Sequence, residues 1–215
     1  MTSKLRCHIT MSLDGYVAGP NQSKENPLGE GGEALHDWLV SLSAWREAHG
    51  QDSGEVNEST RVFDETMENV GAAIMGRNMF GPVEGGPWDD EWKGWWGDNP
   101  PYHYPVFVVT HYPREPVRME GGTTFHFVTD GIESALQQAK TAAGGKDVKL
   151  WGGADIINQY LAAGLLDELE LHVVPRLLGG GARLLTDVNG VQLEQVRAVE
   201  GPGVAHLKYT VNRAP

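Results

Sequence analysis

Two consecutive glycines, Gly152 and Gly153, stand between a short apolar run and an amphipathic stretch, and they constrain the fold strongly. The run 148–151 predicts a buried strand. Apolar residues on one face of residues 156–161 predict a helix that ends at Gly164. Glycines at such a turn let another molecule approach the backbone, and the first N–H groups of the helix can bind an anion. A plain turn that needs glycine only for close packing explains the local pattern equally well.

The length and apolar content indicate one folded domain spanning residues 1–215. The 215 residues are 40% hydrophobic and include seven tryptophans, which is enough for a substantial core. The net charge of −12 argues against a nucleic-acid partner, because phosphate backbones require clustered Lys and Arg. An anionic small molecule stays possible wherever a local Arg opposes the overall charge.

Several kinds of site and location are excluded or disfavoured. Cys7 is the one cysteine, so an intrachain disulfide and a Cys-rich zinc site are excluded, and no metal is expected. Residues 1–20 do not have the pattern of a signal peptide, and no run of about 18 apolar residues indicates a membrane span. We therefore expect a cytoplasmic protein with no membrane partner.

Strands and helices alternate along most of the chain. This order predicts an α/β fold with a mostly parallel central sheet, helices on both faces and a C-terminal antiparallel strand pair. The principal strands are expected at residues 5–11, 72–75, 106–110, 125–129, 148–151, 167–175, 191–199 and 204–212. Helices are expected at residues 33–49, 60–69 and 131–143, and after Gly153.

Two predicted strands end in residues suited to phosphate. Arg77 follows the strand 72–75 directly after Gly76, and the segment 110–114 (THYPR) follows the strand 106–110. Ligands of open α/β sheets gather beyond such strand ends, and the planar guanidinium of Arg can donate two parallel hydrogen bonds to phosphate. A surface Arg paired with a neighbouring acid is the more common arrangement.

Asp37 is a candidate for proton transfer. It lies beside the predicted buried face of the helix 33–49, which carries Trp and Leu side chains. A carboxyl in such surroundings can have a raised pKa and handle a proton. A solvated acid in a first helical turn, favoured by the helix dipole, is the alternative.

The segment 81–105 is unusual because it holds four of the seven tryptophans among glycines, prolines and acids. Clustered aromatic residues in a polar loop suggest a lid over a flat substrate or a subunit interface. A loop that packs on its own Trp side chains is the alternative.

Four sequence blocks resemble the dihydrofolate reductase-like superfamily. The nearest branch is related to the C-terminal reductase domain of the bifunctional riboflavin-biosynthesis deaminase-reductase. The blocks are SLDGYVAG at 12–19, IMGRNMF at 74–80, VVT at 108–110 and LWGGADIINQYLAAGLLDELELHVVPRLLGGGARLL at 150–185. The Trp-rich segment 81–105 has no counterpart in this resemblance.

The resemblance implies an NADPH-dependent reductase and assigns its cofactor residues. Gly76 and Arg77 would face the adenosine phosphates, and Thr110 and His111 would lie near the 2′-phosphate. The pyrophosphate would be wrapped by the glycine pair, which this family joins by a cis peptide, together with the next two residues: Gly152, Gly153, Ala154 and Asp155. The nicotinamide would be bracketed by Thr10, Met11 and Val17.

The same resemblance places Asp37 near the acid that binds the pteridine in folate reductases. Ile157 replaces a tyrosine common in those enzymes, and the zinc-deaminase signature is excluded by the single cysteine. The expected partner is a small heterocyclic substrate, with a homodimer implied by the riboflavin branch. A folate-type or orphan reductase, and a ligand-binding module without catalysis, are the alternatives.

Overall fold

The computed structural model describes residues 3–82 and 86–212, and a nine-stranded sheet takes strands from most of this length. The order across the sheet is β10-β11-β8-β1-β7-β3-β4-β6-β5. Its strands are β1 (Leu5–Ser12), β3 (Val70–Gly76), β4 (Pro105–Val109), β5 (Val117–Arg118), β6 (Thr124–Val128), β7 (Asp147–Leu150), β8 (Glu168–Val174), β10 (Gln192–Gly201) and β11 (Val204–Asn212). Two further strands, β2 (Tyr16–Ala18) and β9 (Ala182–Arg183), pair with each other in a small separate sheet.

The predicted fold class is confirmed. Six neighbouring strands, β8-β1-β7-β3-β4-β6, pair in parallel, while β11 and β10 form the antiparallel pair at one edge. The sequence did not predict β5, a two-residue strand that pairs antiparallel with β6 at the other edge. Parallel pairing brings the carboxyl ends of β7, β3 and β4 to one edge of the sheet.

The helices agree with the predictions except near residue 41 and at residues 77–80, where the sequence did not predict a helix. They are α1 (Asp37–Val40), α2 (Ser43–Ala48), α3 (Glu58–Met67), α4 (Arg77–Phe80), α5 (Ile132–Ala143) and α6 (Ala154–Ala162). Short 3₁₀ turns cover Glu33–His36 and Glu120–Gly122. The N-terminus of α3 is capped by Asn57, whose side-chain oxygen accepts a hydrogen bond from the Ser59 backbone N–H at 2.9 Å.

The single helix predicted for residues 33–49 is wrong. The chain forms a 3₁₀ turn and two short helices, because Leu42 takes an extended backbone (ψ 139°) with its side chain fully buried. Glu55 anchors this break, since its backbone bonds both Ser41 and Ser43. The apolar spacing identified the buried side correctly, but it does not reveal where a tertiary contact interrupts a helix.

The two faces of the sheet have different coverings. Alternate strand residues such as Cys7 and Ile74 pack with α5 and α6 in the largest apolar cluster. On the opposite face, Met75 and Val108 pack against side chains from the Trp-rich segment. A third cluster, around Trp38, lies under the residues that follow the first 3₁₀ turn. None of the helices in the described residues is long and apolar enough to cross a bilayer.

A belt of buried ionisable side chains crosses the face opposite the largest cluster. Its members are Lys149, Arg6, His8, Glu170, His172 and His206. Glu170 receives a hydrogen bond from Arg197 at 2.9 Å and lies 3.3 Å from His8. Burial alone would raise the pKa of Glu170, but these two partners lower it to about 2.

Candidate cofactor site

The Gly152–Gly153 bend joins β7 to α6 and has an open outer side. The peptide bond between these glycines is cis, as the resemblance implies. A side-chain carbon built at Gly153 would meet no atom of the described residues within 4 Å. Gly152 has a φ of +128°, which favours glycine. A ligand can therefore reach this backbone without displacing a side chain.

The first turn of α6 has no side-chain cap. Gly153 is its N-cap residue, and no side chain in the part of the chain that the structure describes accepts a hydrogen bond from the first backbone N–H groups. Asp155 lies exposed in this turn, and Gly153 rather than Asp155 is the N-cap residue. Because uncapped N–H groups carry partial positive charge, this helix end suits a phosphate.

The end of β3 lies directly against the bend. The Gly76 backbone N–H donates to the Gly152 carbonyl at 2.7 Å, and the Trp151 N–H donates to the Ile74 carbonyl at 2.9 Å. Arg77 opens α4 immediately after Gly76. The predicted pyrophosphate residues and the predicted adenosine-phosphate residues therefore adjoin one another.

The Arg77 side chain is held beneath the Trp-rich segment. Its Nη1 donates to the Gly86 carbonyl at 3.1 Å, and its guanidinium carbon lies 3.5 Å from the centroid of the Trp88 indole. Its Nε and Nη2 are buried without a hydrogen-bond acceptor among the described residues. Partial burial lowers the pKa of Arg77 from its usual value. Two buried donors of Arg77 thus lack a partner among the described residues, and an anion that reaches them would supply one.

Thr110 and His111 lie at the end of β4, next to β3 in the sheet. Thr110 is buried, and its hydroxyl oxygen accepts a hydrogen bond from the Tyr112 N–H at 3.1 Å. His111 is exposed. The structure therefore brings both residues to the same edge as Arg77, but the Thr110 hydroxyl already stabilises a turn.

The residues predicted around the nicotinamide are largely buried. Thr10 is a buried residue of β1, and its hydroxyl oxygen accepts a hydrogen bond from the Trp38 indole N–H at 3.3 Å. Met11 is half-buried and pairs with Val173 of β8, while Val17 belongs to the largest core cluster. The pairing of β1 with β7 ends at Cys7 and Leu150, so Thr10 and Met11 lie in the part of β1 that extends past the end of β7, where the glycine bend begins.

Asp37 does not have the buried surroundings expected for it. Its side chain is 67% exposed, and its carboxylate pairs with Arg176 at 3.4 Å. Proximity to Trp38 in sequence does not place it against that ring, because the carboxyl lies on the outer side of α1. Its role in proton transfer stays a prediction, and the buried surroundings on which that prediction relied are not present.

Sequence reasoning missed the aromatic side of this site. Trp88 contacts Arg77, and Tyr112 and Arg114 lie close by. Clustered tryptophans marked the segment 81–105 as unusual, but nothing in its pattern linked Trp88 to Arg77. Residues 83–85 of that segment lie outside the described residues.

The comparisons with known proteins decide the family. The sequence profile of the RibD C-terminal domain matches residues 3–206. The chain belongs to this family. It is also 39% identical over 212 residues to the uncharacterized protein YyaP of Bacillus subtilis (strain 168), covering 95% of this chain and 93% of that protein. The predicted resemblance to the riboflavin-reductase branch is therefore confirmed.

Solved structures share the fold of this RibD C-terminal domain. A protein of Shewanella sp. PV-4 assigned to riboflavin biosynthesis superposes with a TM-score of 0.65 at 23% identity, over 98% of this chain and 99% of that one. Dihydrofolate reductase of Enterococcus faecalis, solved with NADP(H), gives a TM-score of 0.52 at 13% identity, over 98% and 97%. The dihydrofolate reductase-like architecture is thus confirmed.

The site residues fit a nicotinamide dinucleotide. The open backbone at Gly153 and the uncapped start of α6 suit a diphosphate. The buried guanidinium nitrogens of Arg77 suit a further phosphate. No group of three or more His, Cys, Asp or Glu side chains in residues 3–82 and 86–212 is arranged to hold a metal ion.

Proposed function

We propose that this RibD C-terminal domain protein is an NADPH-dependent reductase that transfers a hydride to a C=N or C=O carbon of a small heterocyclic substrate. The best candidate reaction is the riboflavin-pathway reduction of 5-amino-6-(5-phosphoribosylamino)uracil. The observation that carries the proposal is the open Gly153 backbone, which lies beside Gly76 and Arg77 at one edge of the sheet.

Each part of this edge has a distinct role in the proposal. Backbone N–H groups of Gly153, Ala154 and Asp155 hold the diphosphate, since anions bind uncapped helix N-termini. Arg77 holds the adenosine end through the two nitrogens that have no acceptor among the described residues. Gly76 fixes the bend through its hydrogen bond to the Gly152 carbonyl.

The protein contributes alignment more than covalent chemistry. NADPH supplies the hydride, and the chain positions the acceptor carbon and excludes water from it. Thr10, Met11 and Val17 are proposed to define the nicotinamide end. Thr10 and Met11 lie in the part of β1 that extends past the end of β7, and Val17 lies in β2. A proton must also be delivered, for which Asp37 or a bound water is the candidate.

Steady-state kinetics tests the proposed reaction. NADPH consumption is measured with the pyrimidine, with dihydrofolate and with no acceptor. We expect turnover with the pyrimidine above the rate without acceptor. NADPH binding without turnover of either compound would remove the substrate assignment and favour an orphan reductase.

The same preparation tests the alternative of a ligand-binding module without catalysis. A ligand that binds only the folded state raises the melting temperature by mass action. We expect NADPH to protect against heat, whereas the absence of both binding and protection would contradict the reductase. We also propose a homodimer, for which light scattering should give the mass of two chains.

A further inference from the structure

Thr10, His172 and His206 form one row across three neighbouring strands, on the face of the sheet opposite the largest cluster. The register pairs Thr10 of β1 with His172 of β8, and it pairs His172 with His206 of β11. All three residues are buried. The row therefore leads from a residue proposed for the nicotinamide end toward the antiparallel edge of the sheet.

An unbroken series of hydrogen bonds continues from His172 to the start of α3. The Nδ1 atoms of His172 and His206 are 2.8 Å apart, and Nε2 of His206 lies 3.0 Å from the Ser59 hydroxyl oxygen. Ser59 lies in the first turn of α3, beside the exposed Glu58. The series thus joins the interior of the protein to a helix end at its surface.

Both imidazoles of this series are neutral near pH 7. Burial lowers the pKa of His206 to about 4 and holds the pKa of His172 well below its usual value. Two neutral rings that share a hydrogen bond between their Nδ1 atoms must be opposite tautomers, since one donates and the other accepts. When His206 donates, its Nε2 accepts from the Ser59 hydroxyl, and His172 carries its proton on Nε2. When His172 donates, each position is reversed and both hydrogen bonds are retained.

The Trp38 ring covers both imidazoles. Its centroid lies 5.0 Å from each of theirs, and its N–H donates to the Thr10 hydroxyl oxygen at 3.3 Å. The Thr10 hydroxyl still has its own proton to donate. None of the described residues forms a hydrogen bond with Nε2 of His172. A water between this Nε2 and the Thr10 hydroxyl would have two polar partners beside the proposed nicotinamide end.

We propose that His172, His206 and Ser59 form a proton relay that serves the reduction, acting through one water bound between His172 and Thr10. The inference rests on the proposed reductase function and replaces Asp37, whose side chain is exposed, as the proton source. The three relay residues act on the substrate through this water and are positioning residues.

Each transfer in the relay conserves atoms and charge. The hydride of NADPH adds to the carbon of the C=N or C=O bond. The electron pair of that bond moves to the nitrogen or oxygen, which takes a proton from the water. The water regains a proton from Nε2 of His172, while Nδ1 of His172 takes the proton of His206. Nε2 of His206 takes the Ser59 hydroxyl proton, and solvent reprotonates Ser59. The rings exchange tautomers, and neither becomes charged.

Nitrogen-15 NMR of the ligand-free protein tests the hydrogen bonds of the relay. The shifts of imidazole nitrogens distinguish the two neutral tautomers from the protonated ring. We expect His172 and His206 to be neutral and of opposite tautomer at pH 7, and Ser59→Ala to shift the Nε2 signal of His206. The same tautomer in both rings, or a charged ring, would overturn the relay whether or not the protein is a reductase.

Turnover of NADPH with 5-amino-6-(5-phosphoribosylamino)uracil tests the use of the relay. Glutamine keeps a polar group at position 206 but cannot exchange tautomers as imidazole does. His206→Gln should therefore lower kcat about a hundredfold, at the lower end of what a positioned proton donor contributes. It should leave the affinity for NADPH unchanged and increase the solvent deuterium isotope effect on kcat, because proton transfer becomes the slow step. The exposed His49→Gln is the control.

A structural role of these side chains predicts a different result. Lower kcat in His206→Gln with an unchanged solvent isotope effect would show that the ring is needed for packing alone and would overturn the relay. Wild-type kcat in both His206→Gln and Ser59→Ala would also overturn it and leave the reductase proposal standing. Failure of the wild-type protein to bind NADPH would overturn both.

Discussion

The guanidinium carbon of Arg77 lies 3.5 Å from the centroid of the Trp88 indole, and Gly76, the residue before Arg77, donates its backbone N–H to the Gly152 carbonyl of the glycine bend. This contact joins a strand end typical of the family to a segment that has no counterpart in it. It also keeps Arg77 oriented while leaving two of its nitrogens without acceptors among the described residues.

Arg77→Ala should weaken NADPH binding far more than NADH binding. Charge-assisted hydrogen bonds to phosphate contribute roughly 1.5–3 kcal/mol, which corresponds to about tenfold to a hundredfold in affinity. NADH lacks the additional phosphate and should lose less. Calorimetric titration of both cofactors measures the ratio, and Arg61→Ala is the control because Arg61 is exposed on α3. Equal losses for the two cofactors would contradict the role of Arg77.

The two glycines of the bend should respond differently to alanine. Gly153 has φ −81° and open space around an added carbon, so Gly153→Ala should fold normally yet obstruct the approach of a diphosphate. Gly152 has φ +128°, so Gly152→Ala should lower the free energy of unfolding by about 1 kcal/mol or more. Chemical unfolding and NADPH titration separate these effects. Normal NADPH affinity in Gly153→Ala would place the diphosphate elsewhere.

The buried histidines predict acid sensitivity. Burial lowers the pKa of His8 and of His206 to about 4, whereas the ordinary histidine pKa is about 6.5. Between these values the unfolded chain binds protons that the folded chain does not, so the free energy of unfolding should fall as pH falls from about 6.5 to 4. His206→Gln should reduce this slope, and the exposed His111→Gln should not. Urea unfolding at several pH values measures the change of the free energy of unfolding with pH. The same change in His206→Gln as in the wild type would contradict the prediction.

The buried Lys149 predicts how the stability of the protein changes in alkaline solution. Burial, with nearby Arg6, lowers the pKa of Lys149 to about 7. Above that pH the folded lysine is neutral while the unfolded one stays protonated up to its usual pKa near 10.4, so stability should rise with pH between these values. Replacing a buried charged side chain by an apolar one of similar size often stabilises a protein. Lys149→Met should therefore raise the free energy of unfolding at pH 7 by about 1 kcal/mol or more, and it should reduce the increase in stability between about pH 7 and pH 10.4. Lys146 is exposed, so Lys146→Met should change neither the free energy of unfolding at pH 7 nor its increase with pH. A Lys149→Met variant that is less stable than the wild type would contradict the prediction.

The sequence predicts the sheet and the glycine bend because both depend on local patterns. Apolar runs at 72–75 and 148–151 gave β3 and β7, and the glycine pair gave the open turn between β7 and α6. Parallel order then placed Gly76, Arg77 and Thr110 at one edge. These features need only residue type, spacing and the rule for strand ends.

Other features depend on tertiary contacts that no local pattern records. The break at Leu42 follows from its pairing with Glu55, and the exposure of Asp37 follows from the side of α1 on which its carboxyl lies. The contact between Trp88 and Arg77 joins side chains whose pairing is not encoded in their spacing. Sequence reasoning therefore found the backbone half of the site and missed its aromatic half.

A crystal structure of the protein with NADPH tests the central claim most directly. We predict that the diphosphate lies within hydrogen-bonding distance of the backbone N–H groups at Gly153–Asp155, with Arg77 at the adenosine end. A dinucleotide bound at another edge of the sheet, or a glycine bend that is empty in crystals saturated with NADPH, would contradict the account.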